Sequence, residues 1–567
     1  MVSLMGQNFH WPQMTLRQFI WLGVRLYIAA ISFSLLIGMI GLVVTSISLK
    51  KTSQLGIKTG LNLTTSACFT TASLVFNRIP TLNQACHGFL AGKYALELRP
   101  FLTTQFDQLD SAAPQSVPPQ AEIKQLSQLN QALTEARPLI ERRFPSFLII
   151  LDDLVQASEL YQLILQRNHS VWLVIFQNSQ ELRPTGGFMG SYARVEFNYG
   201  KLTAVKIEDI YQPAGQFKGK IEAPPGVKEY LSGGEGLKLQ DANWFPDFPT
   251  SAQTILNFFA WGNEKSVDGL ITVNLSVAEQ LLDLIGSVDL YDFGDSITAG
   301  NLAEAARSKR YEFFPGSQQK AHFLSQLANQ IKFKIEKQSV KQQLLLAKII
   351  DKSIKNKEIQ FFSTLPNLQQ EFILAGWSGQ ISEFQPGDLF FYPVEANVGI
   401  NKANRNIDRS LTIQQTGTMK FDVTLRFWNR NPSTGQAISA QSAPVLSVGS
   451  EPAAANHLAY INYQRFLLPE KTQIEAITIN NQPATAWRQD LVTAASGQIV
   501  RQVGGLILVL EDNEATVTIS LSFPNESQLD RWYFFKQSGI EAIPYRINLN
   551  QGSRELLLEH DQWWEFK

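Results

Sequence analysis

Three kinds of hydrophobic pattern follow one another along the chain, and each predicts a different kind of structure. The first is continuous. From Leu26 to Leu49 no residue is charged, and Arg25 and Lys50-Lys51 bracket the run. As a helix it extends about 36 Å, enough to cross a hydrocarbon core of about 30 Å. A single membrane span is therefore expected over 26–49, behind a short cytoplasmic tail, 1–25. A secretory signal peptide is the rival reading, but the run is long for one and no A-x-A-like cleavage site follows. Arg17 and Arg25 precede the run while Lys50, Lys51 and Lys58 follow it, so charge does not fix its orientation.

The second pattern has helical spacing. Over 52–166 glycine is sparse, and Ile123, Leu126, Leu129 and Leu133 recur mostly three or four apart. PQSVPPQ, Pro114–Gln120, breaks this region in two, and a helical stalk is expected. Phe147–Leu165 is apolar but carries Asp152 and Asp153, which predicts a packed helix rather than a second span.

From Val171 strands and helices alternate. Val171–Phe176, Gly190–Phe197 and Leu202–Ile207 read as strands, with Asn198–Lys201 as the tight turn between the last two. Thr250-Ser251 is a good cap for a helix running to about Trp261. Val267–Asn274 and Ser287–Leu290 read as strands. Ser276–Ile285 and Lys320–Glu336 read as amphipathic helices, the first through Val277, Leu281, Leu282 and Ile285. An α/β or mixed α+β domain is expected over 170–404. The third pattern is strict alternation. Phe421, Val423, Leu425 and Phe427, and later Val517, Ile519, Leu521 and Phe523, predict an all-β sandwich over 409–567, with the late aromatics of WYFF and DQWWEFK in its core or on its edge strands.

The 567 residues are too many for one core, and roughly two to four domains are expected. A net charge of −1 removes any argument from excess positive charge for a nucleic-acid partner. Cys68 and Cys86 lack C-x-x-C spacing and either pair in an oxidising compartment or serve as small apolar residues. The six histidines do not cluster, and no Ser-His-Asp or Cys-His set is visible.

The densest polar corner between apolar strands is Asn178–Gly187, with Glu181, Arg183, Gly186 and Gly187. Arg183 either pairs with Glu181 and strand carbonyls or binds a phosphate. The glycines do not form G-x-G-x-x-G, and a turn explains them more simply than a phosphate cradle. Asp241, Asn243 and Asp247 precede a helix start, where they either make Asx turns or complete a cation site. Asn397, Asn401, Lys402 and Asn404 form a later polar block that either lines the same cleft or makes turns.

Four segments, FQNSQELRPTGGFMGSY, DANWFPDFPTSAQ, VDGLITVN and EANVGINKANRNIDRS, resemble in order the sequence blocks of the bacterial domain-of-unknown-function family 4012. That resemblance implies an envelope-associated membrane protein facing outwards. AEQLLDLIGSVDL and GSQQKAHFL resemble, more distantly, segments of LytR–CpsA–Psr enzymes, which move glycopolymers from polyprenyl-pyrophosphate carriers to the cell wall. This second resemblance implies a fold of that type and a pyrophosphate site on Arg183 with Arg307 or Arg310, with Asp209 holding a divalent cation such as Mg²⁺, a site that Asp247 of the loop above is expected to share. The chemistry is coherent, because pyrophosphate suits bidentate guanidinium partners and oxygen-ligated magnesium. The pattern departs in two places. Arg183-Pro184-Thr185 stands where those enzymes have Arg-Ser-Asp, and Ile207-Glu208-Asp209 where they have Pro-Arg-Asp. The resemblance therefore argues for the fold more than for the activity. Two functions are expected on this basis. One is a non-catalytic extracytoplasmic envelope protein that binds an envelope glycan or polyprenyl-phosphate lipid, or scaffolds. The other is a transferase acting on polyprenyl-pyrophosphate substrates.

Overall fold

Helix α1 (Gln120–Arg143) turns back into α2 (Leu148–Leu165), and the pair closes over Leu126, Leu129, Leu133, Leu151, Tyr161 and Leu165. A computed structural model describes residues 118–566 and scattered positions between 84 and 94, apart from 144, 146, 147, 265, 309–317, 339, 434–456 and 551. The expected tail and span, 1–49, and both cysteines lie outside the described residues. Among the described residues no helix is long and apolar enough to cross a membrane. Helix α2 is more than a stalk element. Its Leu160 and Ile164 enter the core of the central domain, because Asp152 leaves one face polar while the rest of the helix stays apolar enough to be covered twice.

The central sheet has the order β3-β2-β1-β4-β7, built from β1 (Ser170–Asn178), β2 (Phe188–Asn198), β3 (Lys201–Asp209), β4 (Gly269–Asn274) and β7 (Ile359–Ser363). A small hairpin, β5 (Val288–Leu290) with β6 (Asp295–Ile297), lies outside it. Tyr199 and Gly200 both have positive φ, 46° and 75°, as a two-residue hairpin turn between β2 and β3 requires. Strand β1 runs parallel to β4 and antiparallel to β2, and β7 runs antiparallel to β4.

Alternate residues of these strands feed two cores. Trp172, Val174, Ala193, Val195, Ile271, Val273, Ile359 and Phe361 pack beneath a helical layer. Val277, Leu281, Leu282 and Ile285 of the helix Leu275–Ile285, and Phe323, Leu327 and Ile331 of the helix Gln318–Glu336, supply that layer. Leu173, Ile175, Tyr192, Leu270 and Phe362 point the other way, onto helix α3 (Phe248–Trp261) and the loop before it. The start of α3 corrects the expected cap. Asp247, not Thr250-Ser251, caps the helix, its side chain accepting from Thr250 N, because Pro249 suits the first turn and the carboxylate reaches the free N–H groups there.

The remaining strands form two stacked sheets. These are β8 (Leu389–Val394), β9 (Ile407–Gln415), β10 (Lys420–Asn429), β11 (Tyr460–Pro469), β12 (Gln473–Ile479), β13 (Gln482–Pro483), β14 (Arg488–Thr493), β15 (Ile499–Val509), β16 (Asn513–Ser522), β17 (Arg531–Phe534), β18 (Ile543–Leu549), β19 (Gly552–Leu558) and β20 (Gln562–Glu565). One sheet has the order β13-β12-β16-β10-β9-β18-β19, the other β14-β15-β11-β8-β17-β20. The sandwich thus takes its strand β8 from before residue 404, inside the segment expected to end the α/β domain. All six residues of β8, LFFYPV, are buried, so its sequence shows no alternation to announce a sandwich strand.

Each face of the six-stranded sheet has its own partner. Tyr460, Phe466 and Leu468 of β11 join Phe421, Val423, Leu425 and Phe427 inside the sandwich. Ile461 and Tyr463 instead join Trp244, Phe248 and Phe259 of the central domain. The layers therefore run helices, central sheet, α3 with its loop, six-stranded sheet, seven-stranded sheet. The two expected domains meet through a shared apolar core.

Candidate functional site

The carboxyl ends of β1, β3 and β4 and the amino ends of β2 and β7 meet along one rim of the central sheet. In open α/β sheets this is the rim where ligands bind. Here the loop Asn397–Asn404 and the segment Lys536–Gly539, both from the sandwich side, close over it.

Arg183 lies at that junction and is 2 % exposed. Its Nη2 is 3.1 Å from Glu181 Oε1 and 3.3 Å from Asp241 Oδ1, and its Nε also reaches Asp241 Oδ1 at 3.3 Å. Its Nη1 donates to Asn397 O at 2.6 Å and to Leu182 O at 3.2 Å. Arg183 thus neutralises two buried carboxylates and ties the corner to the sandwich loop. Burial pushes the Asp241 carboxyl above the usual carboxylate range, with the Arg183 charge pulling the other way.

The glycines of the corner are set by close approach. A β-carbon at Gly186, whose φ is +137°, would lie 2.3 Å from Asn274 Oδ1, and one at Gly187 would lie 2.3 Å from the Asn178 carbonyl. Asn178 Oδ1 accepts from Gln180 N in an Asx turn. Asn243, fully buried, brings its Nδ2 within 2.8 Å of Gln177 Oε1, 3.1 Å of Thr185 Oγ1 and 2.8 Å of Gly187 O. Asn274 Nδ2 donates to Glu358 Oε2 and to Ser538 Oγ.

The later polar block packs against this corner and also makes turns. Asn397 N donates to Leu182 O, and Asn397 Nδ2 donates to Asn401 O and Asn404 Oδ1. Asn404 Oδ1 also accepts from Leu182 N, and Asn401 Nδ2 donates to Ala459 O. Lys402 is half-buried just before the turn Ala403–Asn406.

Of the expected catalytic set, Arg183 and Asp209 lie on this rim, and the side chains of Arg307 and Arg310 lie outside the described residues. Asp209 ends β3 on the same rim, where its Oδ1 accepts from Tyr211 N at 3.0 Å, just before the short helix Tyr211–Gln216. Arg307 lies on the helix Leu302–Ser308, which Leu302 fastens into the helical layer on the other face of the sheet from Asp241. Arg310 lies outside the described residues. Asp247 cannot serve as the expected magnesium ligand as it stands. Its Oδ1 accepts from Ile381 N, and its Oδ2 accepts from Thr250 N, Thr250 Oγ1 and Ala495 N. Among the described residues no group of three or more His, Cys, Asp or Glu is placed to hold a metal. Asp247, with both oxygens already accepting hydrogen bonds, therefore does not fit the expected Mg²⁺.

Two clusters were missed by the sequence reading. Glu395 receives both Nε and Nη2 of Arg409, at 2.6 and 2.9 Å, and the Tyr460 hydroxyl. Lys536 Nζ is 3.5 Å from Glu358 Oε1 and donates to Asn356 O and Gln537 O. The available signal was a charge inside an otherwise apolar run, as in FFYPVE and WYFFK.

Residues 168–311 match the model of a family described as "Protein of unknown function (DUF4012)". Solved structures resemble parts of the chain. Protein gbs0355 from Streptococcus agalactiae is 11% identical, with 38% of this chain and 75% of that one covered and a TM-score of 0.25. The transcriptional regulator yvhJ from Bacillus subtilis is 12% identical, with 38% and 80% covered and a TM-score of 0.22. Lin1025 protein from Listeria innocua is 13% identical, with 39% and 85% covered and a TM-score of 0.23. At those scores the likeness carries no argument about activity. No curated protein matches.

Proposed function

We propose that this chain is a membrane-anchored, extracytoplasmic protein of the cell envelope. In this reading its central domain and sandwich act as one rigid body that scaffolds or binds envelope material, and it does not transfer glycopolymers. The family match over 168–311 and the apolar run Leu26–Leu49 support the envelope part of the reading. One observation carries the non-catalytic part. Arg183, the arginine that a pyrophosphate would need, is 2 % exposed and already held by Glu181, Asp241 and Asn397 O. For a transferase, that guanidinium would have to give up its contacts to two buried carboxylates, which is costly.

The test is direct. Full-length protein is incubated with a polyprenyl-pyrophosphate-linked oligosaccharide and Mg²⁺, and no pyrophosphate cleavage is expected. Magnesium-dependent transfer that Arg183→Lys abolishes, in a variant with unchanged circular dichroism, overturns the reading. A C-terminal reporter that is active only outside the cytoplasm checks the topology, and a cytoplasmic signal overturns the envelope assignment.

A further inference from the structure

Strand β11 carries a second buried arginine whose surroundings differ from those of Arg183. Arg465 is 2 % exposed and projects from the face of the six-stranded sheet that meets the central domain, between Tyr463 and Leu467. A guanidinium has five N–H donors, and Arg465 uses one of them, Nη2 donating to Trp244 O at 2.9 Å. Its Nε is buried and has no acceptor. Its carbon centre lies 4.8 Å from the centroid of the Trp244 ring. Arg183 and Arg409, the comparable buried arginines, each hold a carboxylate, whereas no carboxylate pairs with Arg465 among the described residues.

Its electrostatic neighbours are two phenols, Tyr463 and Tyr392, whose hydroxyls make no protein hydrogen bond among the described residues. The residue opposite Arg465 on β15 is Gly504. A β-carbon there would sit 2.8 Å from Arg465 Cγ and 3.6 Å from the Tyr463 hydroxyl. The glycine keeps open the space that the Arg465 stem and the Tyr463 hydroxyl occupy.

We propose that Arg465, over the Trp244 ring and in the electrostatic neighbourhood of Tyr392 and Tyr463, is the anchor of an oxyanion-binding site between the sandwich and the central domain. A buried cation without a counter-charge is costly, and a planar fork with free N–H groups fits a carboxylate or a phosphate group. Burial lowers the pKa of Arg465 to about 10, which leaves it charged at neutral pH and in need of an anion. The Tyr463 hydroxyl, which shares with the Arg465 side chain the space kept by Gly504, is a donor that would serve such an anion. Carboxylate and phosphate share this chemistry, and the phosphate can be free or the headgroup of a lipid.

The test uses the full-length protein and three probes at matched ionic strength against chloride: inorganic phosphate, acetate and a short-chain prenyl monophosphate. Calorimetric titration and thermal unfolding are read together. Saturable binding of at least one probe is expected, weakened at least about tenfold in Arg465→Lys and lost in Arg465→Met. Tyr463→Phe, which keeps the packing, should also weaken it. Preference for acetate assigns a carboxylate, preference for phosphate a phosphate, and tighter binding of the prenyl phosphate a lipid headgroup. No saturable response to any probe by the wild type, or an equal response by Arg465→Met, overturns the site and leaves a guanidinium that is only packed and hydrated. Arg465 lies far along the chain from Arg183, and neither outcome bears on the reading of that residue.

Discussion

Gly539 approaches Gly186 so closely that a β-carbon on it would lie 2.0 Å from the Gly186 carbonyl oxygen. Gly539 has a φ of +78°, Gly186 one of +137°, and each belongs to a different half of the molecule. Backbone thus meets backbone where the sandwich closes over the rim of the central sheet. Gly539 N also donates to Glu358 Oε1, which fixes the approach.

Gly539→Ala should therefore act as a wedge. The neighbour is main chain and cannot swing aside, and the positive φ adds strain of its own. A loss of about 3 kcal/mol corresponds to a fall of roughly 6–12 °C in unfolding midpoint for domains of this size. Calorimetry and the rate of proteolytic nicking at the junction measure it. A midpoint within a degree of wild type would show that the two halves are not rigidly docked.

Arg183→Met should be worse than removal of its partners. It removes the guanidinium that holds the buried carboxylates of Glu181 and Asp241, a loss of about 3–5 kcal/mol. The triple variant Glu181→Gln, Arg183→Met, Asp241→Asn removes the charges together and should recover part of the loss. Denaturant unfolding of the series reads this directly. If the triple variant is no more stable than Arg183→Met, the ion cluster is not what holds the corner.

Asp247 joins three segments through its two oxygens, and its truncation should separate them. Asp247→Ala removes the cap of α3, worth about 0.5–2 kcal/mol. It also strands the buried N–H of Ile381 and the N–H of Ala495, at about 1–3 kcal/mol for each donor left unsatisfied. Asp247→Asn retains an acceptor and should lose less. Hydrogen exchange at Ile381 and Ala495 should rise in the alanine variant before exchange in β1 does. Unchanged protection at both amides would count against the link.

The strands and helices with one buried face were legible in the sequence, because their periodicity records it. Phe421 to Phe427 alternate and are buried in alternation, and Val277, Leu281, Leu282 and Ile285 share one covered face. What escaped was whatever is buried on every side. Strand β8 shows no alternation, so the sandwich seemed to begin later than it does. The site residues were legible as a cluster but not in their role. Arg183, Asp241 and Asn397 do come together, yet nothing local in the sequence says that a loop more than two hundred positions away covers Arg183. Arg465 was invisible for the same reason: its environment is made by Trp244 and Tyr392, both remote in the chain.

The turn that covers Arg183 should be sensitive to pH through His457. Asn401 Nδ2 donates to Ala459 O and faces His457 Nδ1 at 3.2 Å, so that ring nitrogen accepts, and the neutral tautomer carries its proton on Nε2. Burial lowers the pKa of His457, and nearby Glu511 opposes this only in part. The folded pKa therefore lies below the unfolded one, which is about 6.5. As the pH falls, the unfolded chain takes up a proton first, so stability is present above about 6.5 and is lost towards the lowered folded value. Protonation at Nδ1 also sets donor against donor at Asn401, which loosens the turn Asn397–Asn404 and with it the carbonyl that Arg183 holds. The unfolding midpoint should fall between pH 7 and pH 5 by more in the wild type than in His457→Gln, whose side chain does not titrate. Taking the difference between the two proteins removes the carboxylates that titrate in both. Parallel curves over that window would mean that His457 does not couple the turn to pH.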